Sequence, residues 1–185
     1  SDALGITAAA DLETRVSDAI AKVLRNQSRQ GSFGLWRPGR GDLWLDAYVT
    51  DFLSRAKARG HTVQDAAFRA ALDNLQSQIS YAGDFTEGSE AIAYALMVLA
   101  REGAASIGDL RYYADAKAEA FATAMAKAQI GAALANYGEQ RRADAMFRAA
   151  AAHANETQPK LRGRRHDYGS PPPGGATTLS FADAA

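Results

Sequence analysis

Three carboxylates stand among three aromatic residues in one short stretch: Asp42, Asp46 and Asp51 among Trp36, Trp44 and Tyr48. Residues four apart share a helix face, so a helix that begins by Asp42 brings Asp42 and Asp46 together. A carboxylate pair beside aromatic rings is the arrangement glycoside hydrolysis uses. The plainer assignment gives each acid a structural role, with Asp42 capping a helix N-terminus and Asp46 complementing the helix dipole. We prefer the structural assignment, which leaves the carboxylates no catalytic role.

The other candidate groups are dispersed. His61 lies in a Gly-His-Thr turn, His153 late in a helix and His166 in a basic stretch. No His-x-x-x-His or Glu-x-x-His pairing offers a metal site, so all three are expected at the surface. Asp84, Glu87 and Glu90 surround Gly83 and Gly88 without the spacing of a calcium loop, and read as acids at a helix start. Arg141, Arg142 and the run Arg162 to Arg165 read as a solvated basic face. No glycine loop of the phosphate-cradling type is present. The expectation is therefore no catalytic set, no cofactor and no metal.

The elements that would position these residues are almost all helical. Leu12, Val16, Ala19, Ile20 and Val23 form a narrow apolar stripe, the mark of a helix with one wet face. The stretch from Trp44 to Ala56 has a much wider apolar face. Phe68, Leu72, Leu75 and Ile79 are narrow again, and Ala91 to Ala100 is apolar without a break. Ala116 to Ala128 mixes charge with Phe121 and Met125. Ile130 to Ala135 is small and apolar, and Ala143 to Ala152 follows with Met146 and Phe147.

Narrow and wide faces in alternation are what two layers of antiparallel helices require. The fold class is all-α, an α/α toroid: a partial α6/α6 barrel of antiparallel helical hairpins. Gly60, Gly103 and Gly138 each follow an inner helix, as left-handed terminators. Their spacing, roughly 35 to 45 residues per pair, suits helical-hairpin repeats. Thr62-Val63-Gln64-Asp65 predicts a capping box and Ser106 a second cap. Residues 1–154 are expected to form the toroid segment. Residues 155–185, which include Lys160 to His166 and Pro171-Pro172-Pro173-Gly174-Gly175, are expected to be an irregular basic, Pro/Gly-rich tail.

Composition excludes several classes. Lys plus Arg is 21 and Asp plus Glu is 21, so there is no electrostatic case for nucleic acid or an anionic membrane. There are no cysteines, which removes disulfides, thiolate metal sites and cysteine nucleophiles. No apolar run approaches the roughly 20 residues that span a bilayer. The opening Ser1-Asp2-Ala3-Leu4 has neither the basic nor the apolar region of a signal peptide. The chain reads as a piece of something longer.

The most specific pattern is Gln30-Gly31-Ser32-Phe33-Gly34-Leu35-Trp36, followed by Trp44-Leu45-Asp46-Ala47-Tyr48-Val49-Thr50-Asp51-Phe52-Leu53. Physically it predicts a glycine turn that plants two aromatics against the next inner helix. As a pattern it resembles the thioester domain of the α2-macroglobulin and complement family, with the best fit to the bacterial α2-macroglobulins. Ala93-Tyr94-Ala95-Leu96, Ala126-Lys127-Ala128-Gln129 with Gly138, and Tyr168-Gly169-Ser170 are similar to that family too, so the resemblance runs from about Leu4 to Ser170.

The resemblance implies a protease trap: proteases cut a bait region, the protein closes around them, and a Cys–Gln thioester acylates them. It implies a bacterial parent guarding the cell envelope from the periplasm, anchored in the inner membrane. Its partners would be proteases, through the full-length parent, and the parent's neighbouring domains. The thioester residues would lie upstream of Ser1. The histidine that assists acyl transfer in the complement branch would fall near Ala93 or Tyr94, and no histidine stands there. The Pro171 to Pro173 run interrupts the family's next helix. An incomplete ring also exposes inner-helix surface, which favours a homodimer of the fragment.

Two other readings compete. A terpene-cyclase or prenyltransferase toroid shares the fold, and its glycine–tryptophan repeats also follow a Gln, as at Gln30 to Trp36. Such an enzyme needs an Asp-x-Asp-Asp or Asp-Asp-x-x-Asp cluster, which is missing. A glycosidase toroid would rest on Asp42 and Asp46 alone, and fold analogy does not establish function.

Overall fold

The computed structural model describes the backbone of residues 2–82 and 89–167, and side chains over 11–82 and 90–155. Among these residues seven helices follow in order: α1 (Asp2–Arg25), α2 (Leu43–Ala58), α3 (Asp65–Ser80), α4 (Ser89–Arg101), α5 (Ile107–Ala116), α6 (Ala124–Asn136) and α7 (Gln140–Asp167). A single 3-10 turn, Ala118–Ala120, joins α5 to α6. Among the described residues the sheet-type pairing is one isolated bridge between Gln27 and Phe33.

The alternation of narrow and wide faces becomes two layers. The inner row is α2 against α4 and α4 against α6, while α3, α5 and α7 pack outside them. On α4 the buried set, Ile92, Ala93, Ala95, Leu96, Val98, Leu99 and Ala100, leaves no broad wet face. Outer α3 buries Phe68, Ala71, Leu75 and Ile79, one residue per turn. Outer α7 buries Ala143, Met146 and Ala150 at the same spacing. The core clusters accordingly: one around α4 and α6, the other joining Ile20, Phe33, Leu53, Val63 and Phe68.

Side-chain pairs fix the directions. Lys57 meets Asp65 at one end of α2 and α3, and Asp46 meets Gln78 at the other, so these helices are antiparallel. Asp51 meets Tyr94, and one turn later Ser54 meets Arg101, so α2 and α4 run parallel. These are the hairpins of an α/α toroid.

Each inner helix ends in the same way. Gly60, Gly103 and Gly138 have φ of 88°, 69° and 73°. At each, the glycine N–H bonds two residues before the cap, and the following N–H reaches the carbonyl of Ala56, Leu99 or Leu134. That is a complete Schellman motif. A Cβ at Gly103 would touch nothing within 4 Å. Gly103→Ala therefore isolates the left-handed backbone cost, and thermal unfolding should show a loss of about 1 kcal/mol. An unchanged melting temperature would mean that α4 ends without this motif.

Three local expectations change. The Thr62 capping box does not form: α3 starts after Gln64, which makes no side-chain cap, and the Asp65 carboxylate accepts from Lys57 at 2.6 Å instead. Leu12, expected in the α1 stripe, is 58% exposed, and burial begins with Val16 and Ile20. The tail expected to be irregular from Asn155 is helical through Asp167. Glu156, Gln158, Lys160, Leu161 and Arg162 are good helix formers and outweigh Pro159. Tyr168 to Ser170 and the proline run lie outside the described residues.

Candidate functional site

Asp42 and Asp46 separate. The Asp42 carboxylate is exposed and accepts from the Leu45 N–H at 2.7 Å, capping α2. Asp46 is fully buried. Its carboxylate accepts from Ser32 Oγ at 2.9 Å, the Phe33 N–H at 2.7 Å, Asn74 Nδ2 at 2.8 Å and Gln78 Nε2 at 2.6 Å. Ser32 Oγ in turn accepts from the Gly41 N–H at 2.7 Å. One carboxylate thus ties both ends of the 32–41 loop to α2 and α3. It is a hub that stands in the first turn of α2, as a helix-dipole acid does, rather than half of a hydrolytic pair.

The glycine motif explains the loop's shape. Gly31 has φ of 89°, and a Cβ there would stand 1.9 Å from the Ala70 carbonyl oxygen of α3. Gln27 spans the contact, donating from Nε2 to the Gly31 and Ala67 carbonyls. The chain then presses Phe33 into the core at 2% exposure. The motif predicts two aromatics against the inner helix, but only Phe33 is planted there. Trp36 is 92% exposed, because the Gly34 N–H turns back to Asn26 and the following residues leave the surface. The ring of Trp44 stacks on Tyr48 at 5.3 Å, both about half exposed.

Asp51 is the second hub. Arg55 Nε donates to it at 2.9 Å, Tyr94 OH donates at 2.8 Å and Arg101 closes the set from α4. Burial pushes the Asp51 carboxyl up, but the hydrogen bonds from Arg101, Tyr94 and Arg55 outweigh it and hold the group below the ordinary carboxylate range. Burial and the Asp51 hydrogen bond together drive the Tyr94 phenol well above its usual value. A depressed carboxyl contributes stability that is present above its unfolded value and lost as pH falls through the folded one. The Asp51 contribution should therefore disappear only below the ordinary value of 3.8. Acid titration of Asp51→Asn should show a lower plateau at neutral pH and a shallower fall below pH 3.8. Parallel acid limbs in both proteins would refute this role.

The remaining candidates resolve as structure. His61 Nδ1 lies 3.3 Å from Glu13 on α1, and its side chain is only 11% exposed, so it is a tether between elements rather than a free surface group. His153 is half-buried on α7, and the side chain of His166 lies outside the described residues. Arg142 bridges Asp115 and Glu139, and Arg111 shares Glu139, which lowers both acids. Glu90 opens α4, while Asp84 and Glu87 lie outside the described residues. No group of three His, Cys, Asp or Glu suited to a metal occurs among the described residues. Ala93 is fully buried and Tyr94 is committed to Asp51, so the position where an acyl-transfer histidine would fall serves packing. Lys127 is buried and reaches the Ala118 carbonyl at 3.0 Å, fastening the 3-10 turn to α6.

Fold and hubs together define a helical scaffold: a two-layer toroid segment with polar cross-ties. Residues 4–106 match the model of the A-macroglobulin TED domain, and the chain belongs to that family. The α2-macroglobulin of Escherichia coli strain K12 is 34% identical over 154 residues, 77% of this chain and 9% of that protein. The structure is similar to native E. coli α2-macroglobulin solved from domain MG7 to the C-terminus. The TM-score is 0.68 at 28% identity, covering 75% of this chain and 23% of that one. It is also similar to the trypsin-activated E. coli protein, with a TM-score of 0.65 at 28% identity over 71% of this chain and 10% of that one. The chain spans about a tenth of the length of the curated relatives it matches.

Proposed function

We propose that this chain is the helical thioester-domain portion of a bacterial α2-macroglobulin-like, broad-spectrum protease trap, and that it performs no catalysis. The observation that carries this reading is the family motif itself. Gly31 to Leu53 matches the thioester-domain pattern, and the shape of that segment is held here by Asp46 rather than by a reactive group. The chain contains no cysteine, so a Cys–Gln thioester has to come from elsewhere in the parent. The parent's periplasmic location and inner-membrane anchor belong to the same proposal. So does cover for Trp44 and Tyr48 by a neighbouring domain or a second copy of the fragment.

Two assays test it. With radioactive methylamine the isolated chain should incorporate no label, because there is no acyl–sulfur bond for the amine to open. Stoichiometric incorporation would overturn the assignment of the reactive bond to the parent. The full-length parent, mixed with trypsin, should suppress cleavage of a large protein substrate while small peptide substrates are still cut. Unimpeded digestion of the large substrate would sink the trap. Turnover of an isoprenoid diphosphate by the chain would overturn the non-enzymatic reading.

A further inference from the structure

The outer side of the glycine motif carries a second feature, independent of protease inhibition. A cleft of about 770 Å³ lies between the 28–40 segment and the second half of α3, with Ser28, Arg29, Arg40, Ser77, Gln78 and Tyr81 among its walls. That volume is in the range ligand sites occupy, and is far larger than a single oxyanion requires. No carboxylate lines it. Among the described residues neither Arg29 nor Arg40 has an ion-pair partner. The chain's other charged clusters differ: Arg55, Arg101, Arg111 and Arg142 are all paired.

The two arginines rise from fixed backbone. Arg29 sits in a turn closed by the Gly31 N–H to Ser28 and the Ser28 N–H to Ser32 hydrogen bonds. Arg40 precedes Gly41, whose N–H is tied to Ser32. The floor is equally rigid, since Asn74 and Gln78 spend their amide donors on Asp46. Fixed bases with free guanidinium heads form a preorganised receptor for carboxylates, because each head offers two parallel donors. Polar wall groups such as Ser28 and Ser77 suit peptide amides. Tyr81, 87% exposed, offers a flat face to the apolar part of a chain.

We propose that this cleft binds an acidic peptide segment, with Arg29 and Arg40 gripping two of its carboxylates. The Asp46 charge beneath the floor is the rival explanation for the arginines: they would then only offset it.

The test uses the 185-residue chain and a fluorescein-labelled, end-blocked Glu/Gly hexapeptide, with its Gln/Gly counterpart and inorganic phosphate as separate arms, read by anisotropy and competition. The Glu peptide should bind with an affinity that falls as salt rises, and the Gln peptide should not bind. Arg29→Gln and Arg40→Gln should each weaken binding about tenfold or more, while Arg59→Gln, at the opposite end of α2, leaves it unchanged. Should either arginine variant fold poorly, Ser77→Asp at an exposed position of α3 should block the Glu peptide by like-charge repulsion. Equal binding of both peptides overturns the proposal. So does phosphate displacing the peptide at equal concentration, or indifference to these variants. So does a wild-type chain that binds nothing while the arginine variants melt lower, which would assign the arginines to Asp46.

Discussion

Replacing Asp46 with alanine should lower the unfolding free energy by about 3–5 kcal/mol, read by urea unfolding followed by circular dichroism. Two of its four donors, the Ser32 hydroxyl and the Phe33 N–H, belong to buried residues and lose their acceptor with the carboxylate. Each orphaned donor costs about 1–3 kcal/mol. Asn74 and Gln78 are half-exposed and recover solvent, so they add less. Asp46→Asn keeps the shape but turns an amide group toward incoming donors, so it should lose about 2 kcal/mol. A domain stable by about 5–15 kcal/mol survives the second change more easily than the first. A loss under about 1 kcal/mol for alanine would remove Asp46 from its place as hub.

Gly31→Ala should be comparably damaging for a different reason. The left-handed backbone costs an alanine about 1–2 kcal/mol. The added methyl would also meet the Ala70 carbonyl at 1.9 Å, which no rotamer relieves. The 28–34 turn has to lift from α3, breaking the Gln27 bond to Ala67 and uncovering Phe33. Re-exposing a phenylalanine costs about 2–3 kcal/mol, so the sum is about 3–5 kcal/mol. Comparison with Gly103→Ala is decisive, since there the same φ region faces open space. Equal losses at both positions would show that the close approach to α3 contributes nothing.

The layered fold was legible in the sequence because it rests on short-range periodicity. The width of an apolar stripe reports how many neighbours a helix has, and so α2, α4 and α6 could be placed inside. The helix ends at Gly60, Gly103 and Gly138 were legible for the same local reason. The two hubs were not. Asp46 finds its donors 13 to 32 residues away, and Asp51 reaches Arg101 at a separation of 50. Its neighbour four positions back, Asp42, suggested a pair that the fold pulls apart. One signal was nonetheless available: Asp46 and Asp51 interrupt the wide apolar face of α2, and a charge there has to be met by buried donors. Thr62 misled because its spacing imitates a cap while Lys57 draws Asp65 away. The acidic half of the α3–α4 connection, at Asp84 and Glu87, lies outside the described residues.

The shared Schellman ends have an electrical consequence. Because the inner helices run the same way, each brings the negative end of its dipole to one rim of the ring, where the antiparallel outer helices bring their positive ends. Arg55 and Lys57 stand in the last turn of α2 and Arg101 in that of α4, each also paired with an acid, but α6 has no base in its last turn. The rim is therefore uneven. A neighbouring surface that docks there meets bases at the ends of the first two inner helices and none at the third, so an acidic face is favoured on one side of the rim only.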